Sequence, residues 1–356
     1  MALMLAAGPS LGLERPDVTF KIFQFPADQI PRIDGDPADW DLVPERYAIG
    51  IDQLKDTVKN SPIDTTDLNV TVRVGWVKGL NRLYFLYQAY DDYWDFSHRD
   101  LHNDIFEIVV DGDLSGGPLI PQMRPDKETN RLEGTDGHFQ FHGVQAQNYH
   151  ILTPAEDKSW TMVWGANQWI DQLPWANAAS NYNFKPGDSG HYTLECWITP
   201  FDYAPYEGPA RAVESKLTED ALIGLSWSIL DYDDVTVKQG EYDGFWNLSQ
   251  KTTMYGDASD LVAFRLMPIE ADLRAPIQAL WEFTVLDMDR RLIAFKDTSY
   301  GEVAAWTWDF GDGHTATEQH PIHQYQESGT SYTVTLHIEG PKGKSRLSKV
   351  WDVMIR

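Results

Sequence analysis

The sequence lacks the features that mark several common classes of protein. It has a single cysteine, Cys196, so no disulfide can form within the chain. No apolar run reaches the length of a membrane-spanning helix, so we expect no membrane insertion. Helical periodicity is scarce, and the best helix candidate is the short charged segment 211–220. Cys196 lies in the strand-like segment 192–198, where we expect a small buried side chain rather than a nucleophile.

Positive charge is also in short supply. Lys and Arg total 29 against 54 Asp and Glu, which gives a formal net charge of −25 at pH 7. A field of that sign repels phosphate groups, so we expect no nucleic acid and no anionic membrane as a partner. The excess of carboxylates suits the binding of cations, and we expect the protein to be monomeric.

Short alternating strands dominate what is present. Aromatic residues make up 13% of the chain, including 14 Trp, and most of these rings should fill cores between sheets. The predicted strands are 70–76, 83–90, 105–110, 137–144, 161–164, 192–198, 223–230 and 261–266. Repeated short strands separated by turn residues predict an all-β protein with a large antiparallel sandwich. Segments 114–136 and 165–190 are predicted to be long loops, which often carry functional sites.

The most specific motif is Trp-Asp-Phe-Gly-Asp-Gly at residues 308–313, which precedes the alternating segment 332–338. Its glycines allow backbone angles that other residues avoid, and its aspartates can accept hydrogen bonds from the turn amides. Trp308 and Phe310 are two residues apart, so both should face one small core. The motif resembles the signature of the PKD domain, an immunoglobulin-like module of extracellular proteins, over roughly residues 276–356.

A Pro-flanked acidic segment, Pro268–Pro276, divides the chain. We expect an N-terminal segment at 1–17, a larger β-sandwich at 18–268, a linker at 269–275 and the PKD domain at 276–356. The segment 1–17 begins like the remnant of an export signal, although it has no basic start, and a cloning remnant fits it equally well. The PKD resemblance implies a secreted, periplasmic or cell-surface location.

The larger region resembles carbohydrate-binding module family 9 over roughly residues 18–268. The resemblance is carried, in order, by Ile33–Trp40, Leu83–Asp92, Asn103–Asp111, Gly224–Asp233 and Trp246. In that family two tryptophans clamp a terminal sugar, and a carboxylate beside them binds its hydroxyls.

The resemblance implies a sugar site built on Trp246 and Glu107. The second clamp position, three residues before Asp104, holds Leu101 here, which departs from the family. Either Trp94 supplies the second ring or the specificity for a sugar end is lost. Asp104 is a further ligand-binding candidate. For Trp246, packing in the core is the alternative to stacking on a sugar.

Three further tryptophans could form a different platform in or beside the second long loop: Trp164, Trp169 and Trp175. Taken alone, each of these tryptophans is more often structural, because a large ring usually fills a core.

Two acidic groups suggest a calcium site. Asp111, Asp113 and Ser115 place oxygen donors at alternate positions before a glycine, and Asp231 and Asp233 form the second group. An Asx-rich turn and a solvated strand end are the respective alternatives. The ten histidines show no zinc-like spacing, and no helical pattern places His98 and His102 on one face.

These patterns predict an exported, non-catalytic protein that binds a polysaccharide or oligosaccharide on its larger sandwich. The PKD domain would then serve as a spacer or adhesion unit. A polysaccharide lyase or glycoside hydrolase that uses acid, His or Tyr residues of the long loops is the main alternative. A surface-assembly module that binds protein is a third.

Overall fold

The computed structural model describes residues 13–98, 100–123, 134–236, 238 and 240–355. One α-helix is present in these ranges, α1 (Gly134–Phe141), and the other long elements are strands. The strands of the N-terminal part are β1 Glu14–Phe25, β2 Ile49–Gly50, β3 Lys55–Asp56, β4 Leu68–Val77, β5 Leu83–Asp91, β6 Ile105–Asp111, β7 Gln147–Leu152, β8 Thr161–Val163, β9 Ala176–Asn181, β10 Gly190–Ile198, β11 Phe201–Tyr203, β12 Val213–Glu214, β13 Leu222–Asp231, β14 Gly244–Asn247 and β15 Val262–Leu266. The C-terminal strands are β16 Trp281–Asp287, β17 Leu292–Asp297, β18 Ala305–Asp309, β19 Thr315–Ala316, β20 Ile322–Gln324, β21 Thr330–Gly340 and β22 Gly343–Ile355. The predicted all-β class is confirmed.

Strand β1 belongs to both sheets of the larger sandwich. The first sheet runs β8-β7-β6-β13-β15-β1, and the second runs β1-β4-β5-β10-β9. Thr19–Ile22 pair with β15 and Phe23–Phe25 pair with β4, and both pairings are parallel. The other strand pairings of the described residues are antiparallel, as predicted. The two parallel pairings were not predicted, because one strand gives no sign of its partners' direction.

The main core lies between these sheets and follows from the alternation of apolar residues. Val70, Val72 and Val74 of β4 point inward and are buried, while the residues between them are more exposed. Cys196 of β10 is fully buried in this core between β5 and β9, as expected. Burial raises the pKa of its thiol, so the reactive thiolate form is disfavoured, as expected for a structural cysteine.

Two sequence-based assignments are wrong. Segment 137–144 was predicted as a strand, but it overlaps helix α1, because two-residue and helical periodicities are hard to separate over one short run. Segment 211–220 was the best helix candidate, but it contains strand β12 and no helix longer than a 3₁₀ turn. Its charged residues have high helix propensity, yet the chain is held extended here by pairing with β11.

The C-terminal region forms a second, smaller sandwich. Its sheets are β16-β17-β20 and β19-β18-β21-β22, and its core is a separate hydrophobic cluster within residues 277–355. Trp308 and Phe310 are both buried in it, as predicted. The side chain of Asp309 accepts a hydrogen bond from the amide of Gly311, whose φ is +78°. A Cβ at Gly311 would lie 2.5 Å from the carbonyl oxygen of Thr333, so only glycine fits.

The segment between the sandwiches is tied down at its start and exposed at its end. Glu270 accepts a hydrogen bond from the hydroxyl of Tyr47 (2.5 Å) and pairs with Arg46 (2.6 Å). Arg274 and Pro276 are exposed. The predicted domain boundaries at residues 268 and 276 stay a prediction.

None of the helices described here is both long and apolar enough to cross a membrane.

Trypsin should cleave first after Arg274, because the backbone there is accessible and lies outside both cores. Mass spectrometry should then show a stable piece that ends at residue 274. The Arg274→Gln variant should remove this cut and leave the rest of the digestion pattern unchanged. A first cut inside β4, β5 or β10 would contradict the division into two domains.

Candidate functional site

The predicted carboxylate Glu107 lies at the centre of a buried polar network. It belongs to the inner strand β6, and its neighbours across the sheet are His150 of β7 and Ser228 of β13. Its Oε1 accepts a hydrogen bond from Asn148 Nδ2 (2.8 Å) and lies 3.1 Å from His150 Nε2. Ser228 Oγ donates to Oε2 at 2.5 Å. The carboxylate is therefore held from both neighbouring strands, and Glu107 is only 1% exposed.

The network keeps Glu107 ionised. Burial by itself raises the pKa of the carboxyl, but the charge of His150 and hydrogen bonds from His150, Ser228 and Asn148 outweigh it. The net pKa lies below its usual value. An ionised carboxylate fixed in this way orients His150 and Asn148 toward the outer side of the sheet.

Four buried polar atoms on the partners of this carboxylate and on two rings beyond His150 have no hydrogen-bond partner among the described residues: His150 Nδ1, Asn148 Oδ1, Trp164 Nε1 and His142 Nε2. The ring of Trp164 lies 5.5 Å from that of His150 and 5.7 Å from that of His142. Native proteins seldom leave such atoms unpaired. We call Glu107, Asn148, His150, Trp164 and His142 the Glu107 site.

Two of the predicted binding tryptophans are core residues. Trp246 is 4% exposed and packs in the main core, and Trp94 is 1% exposed and stacks on Phe184 at 5.0 Å. Trp94 also donates its indole hydrogen to the carbonyl of Gly190 (3.0 Å). Neither ring has a face free for a sugar, so these two rings cannot form a clamp, and Trp246 packs in the core, which was the alternative to stacking on a sugar.

The other tryptophan candidates separate into two groups. Trp164 is half-buried and joins the Glu107 site. Trp169 and Trp175 are half-buried and pack against each other at 4.9 Å and against the main core. Trp169 also donates to the carbonyl of Pro205 (2.8 Å). The structure thus brings Trp164, but not this pair, to the predicted carboxylate.

Asp104 serves the fold. Its Oδ2 accepts a hydrogen bond from the amide of Asp95 (2.7 Å), and its Oδ1 accepts one from the amide of Tyr232 (2.9 Å). Burial and the charges of Asp91 and Asp231 raise its pKa well above the usual value. It connects the loop after β5 to the end of β13, and both of its oxygens are occupied.

A carboxylate cluster lies where strands of both sheets end. One carboxylate oxygen from each of Asp91, Asp231 and Asp233 lies within 4.8 Å of the others, and Asp67 and Asp92 form a similar group with Asp233. Asp231 is buried, and neither its Oδ1 nor that of Asp233 has a partner among the described residues. Burial and the neighbouring negative charges raise the pKa of Asp91 to about 8 and that of Asp233 to about 7.

In the other predicted metal loop, backbone amides bind one oxygen of each aspartate, while Asp111 Oδ1 has no partner among the described residues. Asp111 accepts from the amide of Gly116 (2.8 Å), and Asp113 accepts from the amide of Ser115 (3.0 Å). Within the described residues, no third carboxylate or histidine joins Asp111 and Asp113. Burial raises the pKa of Asp111 to about 6. These contacts are those of an Asx-rich turn, and calcium at this loop stays a prediction.

A polar cleft, with a volume of about 420 Å³, lies on the outer face of the other sheet. Its lining includes Arg73, Gln88, Tyr90 and His191, and the rings of Tyr90 and His191 lie 5.2 Å apart. This face combines rings with polar side chains, so it is the natural comparison for any binding assay.

Sequence reasoning missed most partners of the two sites. In 147–152, Asn148 and His150 alternate with Tyr149 and Ile151, and this pattern was a usable signal for a strand with one polar face. Asp67, Asp91 and Asp92 carried no such signal. Asp91 meets Asp231, and Asp67 and Asp92 meet Asp233, only because β4 begins at the edge of the sandwich where β5 and β13 end.

Comparisons with known proteins give a family match for one part of the chain. Residues 290–355 match the PKD domain family model. Among curated proteins, collagenase ColQ1 of Bacillus cereus is 45% identical over 49 residues, which are 14% of this chain and 5% of the relative. The pre-pro-metalloprotease PrtV of Vibrio cholerae is 28% identical over 154 residues, 41% of this chain and 16% of the relative. The chain thus spans only a small part of the length of these relatives.

Solved structures similar to this chain include both predicted modules. A carbohydrate-binding module family 9 from Caldicellulosiruptor kristjanssonii in complex with cellotriose has a TM-score of 0.44 and 12% identity, and covers 72% of this chain and 98% of its own. The PKD1 domain of the Vibrio cholerae metalloprotease PrtV has a TM-score of 0.20 and 29% identity, and covers 23% of this chain and 99% of its own. The family match at 290–355 falls within the C-terminal sandwich, which we therefore refer to as the PKD domain.

Proposed function

We propose that this protein binds a carbohydrate at the Glu107 site and uses the PKD domain as a spacer or adhesion unit. The observation that supports it is the group of four unpaired polar atoms around an ionised carboxylate. Sugar hydroxyls both donate and accept hydrogen bonds, so they match the unpaired acceptor of Asn148 and the unpaired indole donor of Trp164. Both atoms are buried, so a sugar would reach them only after a side chain over them has moved.

The chemistry of the site favours a sugar over a charged ligand. One oxygen of the Glu107 carboxylate lies 3.1 Å from His150 Nε2 and accepts from Asn148, and the other accepts from Ser228, so neither oxygen is left free to bind a charged ligand. An indole beside these groups gives an apolar surface on which the C–H face of a pyranose can lie. Polar donors and acceptors next to one aromatic face are the usual composition of a neutral-glycan site.

The proposal includes export. PKD domains resemble immunoglobulin modules of extracellular proteins, and we place this protein outside the cytoplasm, with a polysaccharide as its natural target. The buried Cys196 is compatible with an oxidising compartment, because a fully buried thiol is protected there.

We propose calcium as the cation of the carboxylate cluster. Asp91, Asp231 and Asp233 offer only hard oxygen donors, which calcium prefers. Buried carboxylates that repel one another need a cation or protons, and the unpaired oxygen of Asp231 marks where an ion would be met. Calcium here would hold β5 and β13 together and would leave the Glu107 site on another part of the sheet.

Trp164→Ala should weaken glycan binding by about 2 kcal/mol, about 30-fold, which is typical of a hot-spot aromatic. Trp164→Phe should keep the ring and lose one hydrogen bond, at about 1 kcal/mol. A glycan array should first identify the ligand, with cellotriose as one probe, and calorimetry should then give the affinities.

The matched control is Tyr90→Ala, which removes a ring from the cleft of the second sheet. It should leave the affinity unchanged. Loss of binding in Tyr90→Ala with retention in Trp164→Ala would move the site to that cleft. Reducing ends released by the wild type from the same glycans would instead support the enzyme alternative.

Glu107→Gln should have a lower free energy of unfolding than the wild type, and the difference should depend on pH. Because the folded pKa of Glu107 is lowered, its stabilisation is present above the ordinary pKa of 4.5 and is lost as the pH falls through the folded value. Urea unfolding at pH 6 and at pH 3 should show a difference between the two proteins that shrinks in acid. An equal difference at both pH values would mean that Glu107 is not held as the ion.

Calcium should raise the melting temperature of the wild type, by an amount equivalent to about 2.7 kcal/mol at 100 times the dissociation constant. The variants Asp231→Asn and Asp233→Asn should each lose most of this gain, because each substitution removes the negative charge of one ligand and keeps the size of its side chain. The double variant Asp111→Asn plus Asp113→Asn is the control and should keep it. The reverse pattern would place the ion in the 111–116 loop.

A further inference from the structure

A third group of ligand atoms lies in the loop that follows β5. Asp95, His98 and His102 each offer one donor atom, and these atoms all lie within 4.8 Å of one another. The rings of the two histidines are stacked at 4.2 Å and 8°. No helical pattern in the sequence places the two histidines on one face. An irregular loop, folded back on itself, brings them together instead.

Two of the donor atoms are buried and unused. Asp95 is 0% exposed and His102 is 6% exposed, and neither Asp95 Oδ2 nor His102 Nε2 has a hydrogen-bond partner within the described chain. They lie 3.8 Å apart, too far for a hydrogen bond. Two ligands of one zinc ion, each at about 2.0–2.1 Å, are separated by about 3.4 Å at the tetrahedral angle. A small side-chain rotation would therefore bring both onto one ion.

The surrounding contacts orient the donors. His98 Nε2 lies 3.2 Å from the carbonyl oxygen of Val235, and a hydrogen on Nε2 would leave the lone pair of Nδ1 for a metal. Asp95 Oδ1 accepts hydrogen bonds from the amide (3.3 Å) and hydroxyl (2.9 Å) of Ser97, which leaves Oδ2 as the free oxygen. Lys158 donates to Asn103 Oδ1 (3.0 Å) and to the carbonyl of Phe96 (3.2 Å), and so fixes the loop from outside.

We propose that Asp95, His98 and His102 form a binding site for a divalent transition-metal ion of the zinc type. Two imidazole nitrogens and one carboxylate oxygen suit zinc, whereas the all-oxygen carboxylate cluster suits calcium. Three protein ligands leave a further position for water. The ion would fasten this loop beside the end of β13, through the contact of His98 with Val235.

The PKD domain contains a similar trio that differs in one respect. Asp312 lies within 4.8 Å of His314 and His323, but its Oδ2 is already 2.7 Å from His323 Nε2. That pair is satisfied without a metal, and His323 also stacks on Phe310 at 4.1 Å. This trio therefore serves as an internal comparison for the loop site.

The test is a titration of the full chain, without a polyhistidine tag, with Zn²⁺ and with Co²⁺ as a spectroscopic probe. Saturating calcium is present so that the carboxylate cluster is occupied. The wild type should bind one zinc ion tightly, and the cobalt form should show visible absorption bands typical of nitrogen ligation. His98→Ala, at a half-exposed position, should weaken zinc binding by at least about tenfold. Even the loss of a group that only hydrogen-bonds to a metal ligand usually weakens metal binding that much.

His98→Gln provides a second variant that keeps most of the side-chain volume and should show the same loss. His314→Ala is the control in the PKD domain and should bind zinc as the wild type does. Absence of tight zinc binding by the wild type would overturn the proposal. So would unchanged binding in both His98 variants, or loss of binding in His314→Ala.

Discussion

The passage of β1 from one sheet to the other is the constraint on which the larger sandwich depends. Within a single strand, Thr19–Ile22 pair with β15 and Phe23–Phe25 pair with β4. The two sheets are therefore joined by backbone hydrogen bonds as well as by the core between them. Their mutual position sets which strand ends meet, and so brings the end of β5 to the end of β13, where the carboxylate cluster forms.

The negative charge of the chain is not spread evenly over its surface, because the fold buries part of it. The chain carries a net charge of −25, and several of its carboxylates are buried at strand ends. The structure deals with them in two ways. Glu107 is paired with His150 and with neutral donors, which keep it ionised. Asp231 has no such partner among the described residues and needs a proton or a cation, because an isolated buried charge is costly.

Sequence patterns predicted the parts of the fold that depend on local geometry. Trp308 and Phe310 face one core because they are two residues apart, and Gly311 is required because the turn passes so close to Thr333. The alternation in β4 predicted its buried valines equally well. Periodicity failed over 137–144, where one short run fits a helix as well as a strand.

The candidate sites could be predicted only in part, because they depend on contacts between distant segments. Glu107 was found by resemblance, but its partner His150 reaches it through the pairing of β6 with β7. Exposure was the least predictable property. Trp246 matches the family position of a binding ring, yet it lies in the core. A motif specifies a residue type, whereas the packing around the residue decides whether it is exposed.

The single thiol, Cys196, makes opening of the larger sandwich measurable, because a buried thiol reacts only when the structure around it opens. Strand β10 lies between β5 and β9, and the side chain of Cys196 is buried in the core between the two sheets, so an alkylating reagent can reach the sulfur only after this core has opened. The chain has no second sulfhydryl to confuse the signal. The rate of mass gain by the intact protein thus reports how often the core of the larger sandwich opens at Cys196, in solution and without any engineered label.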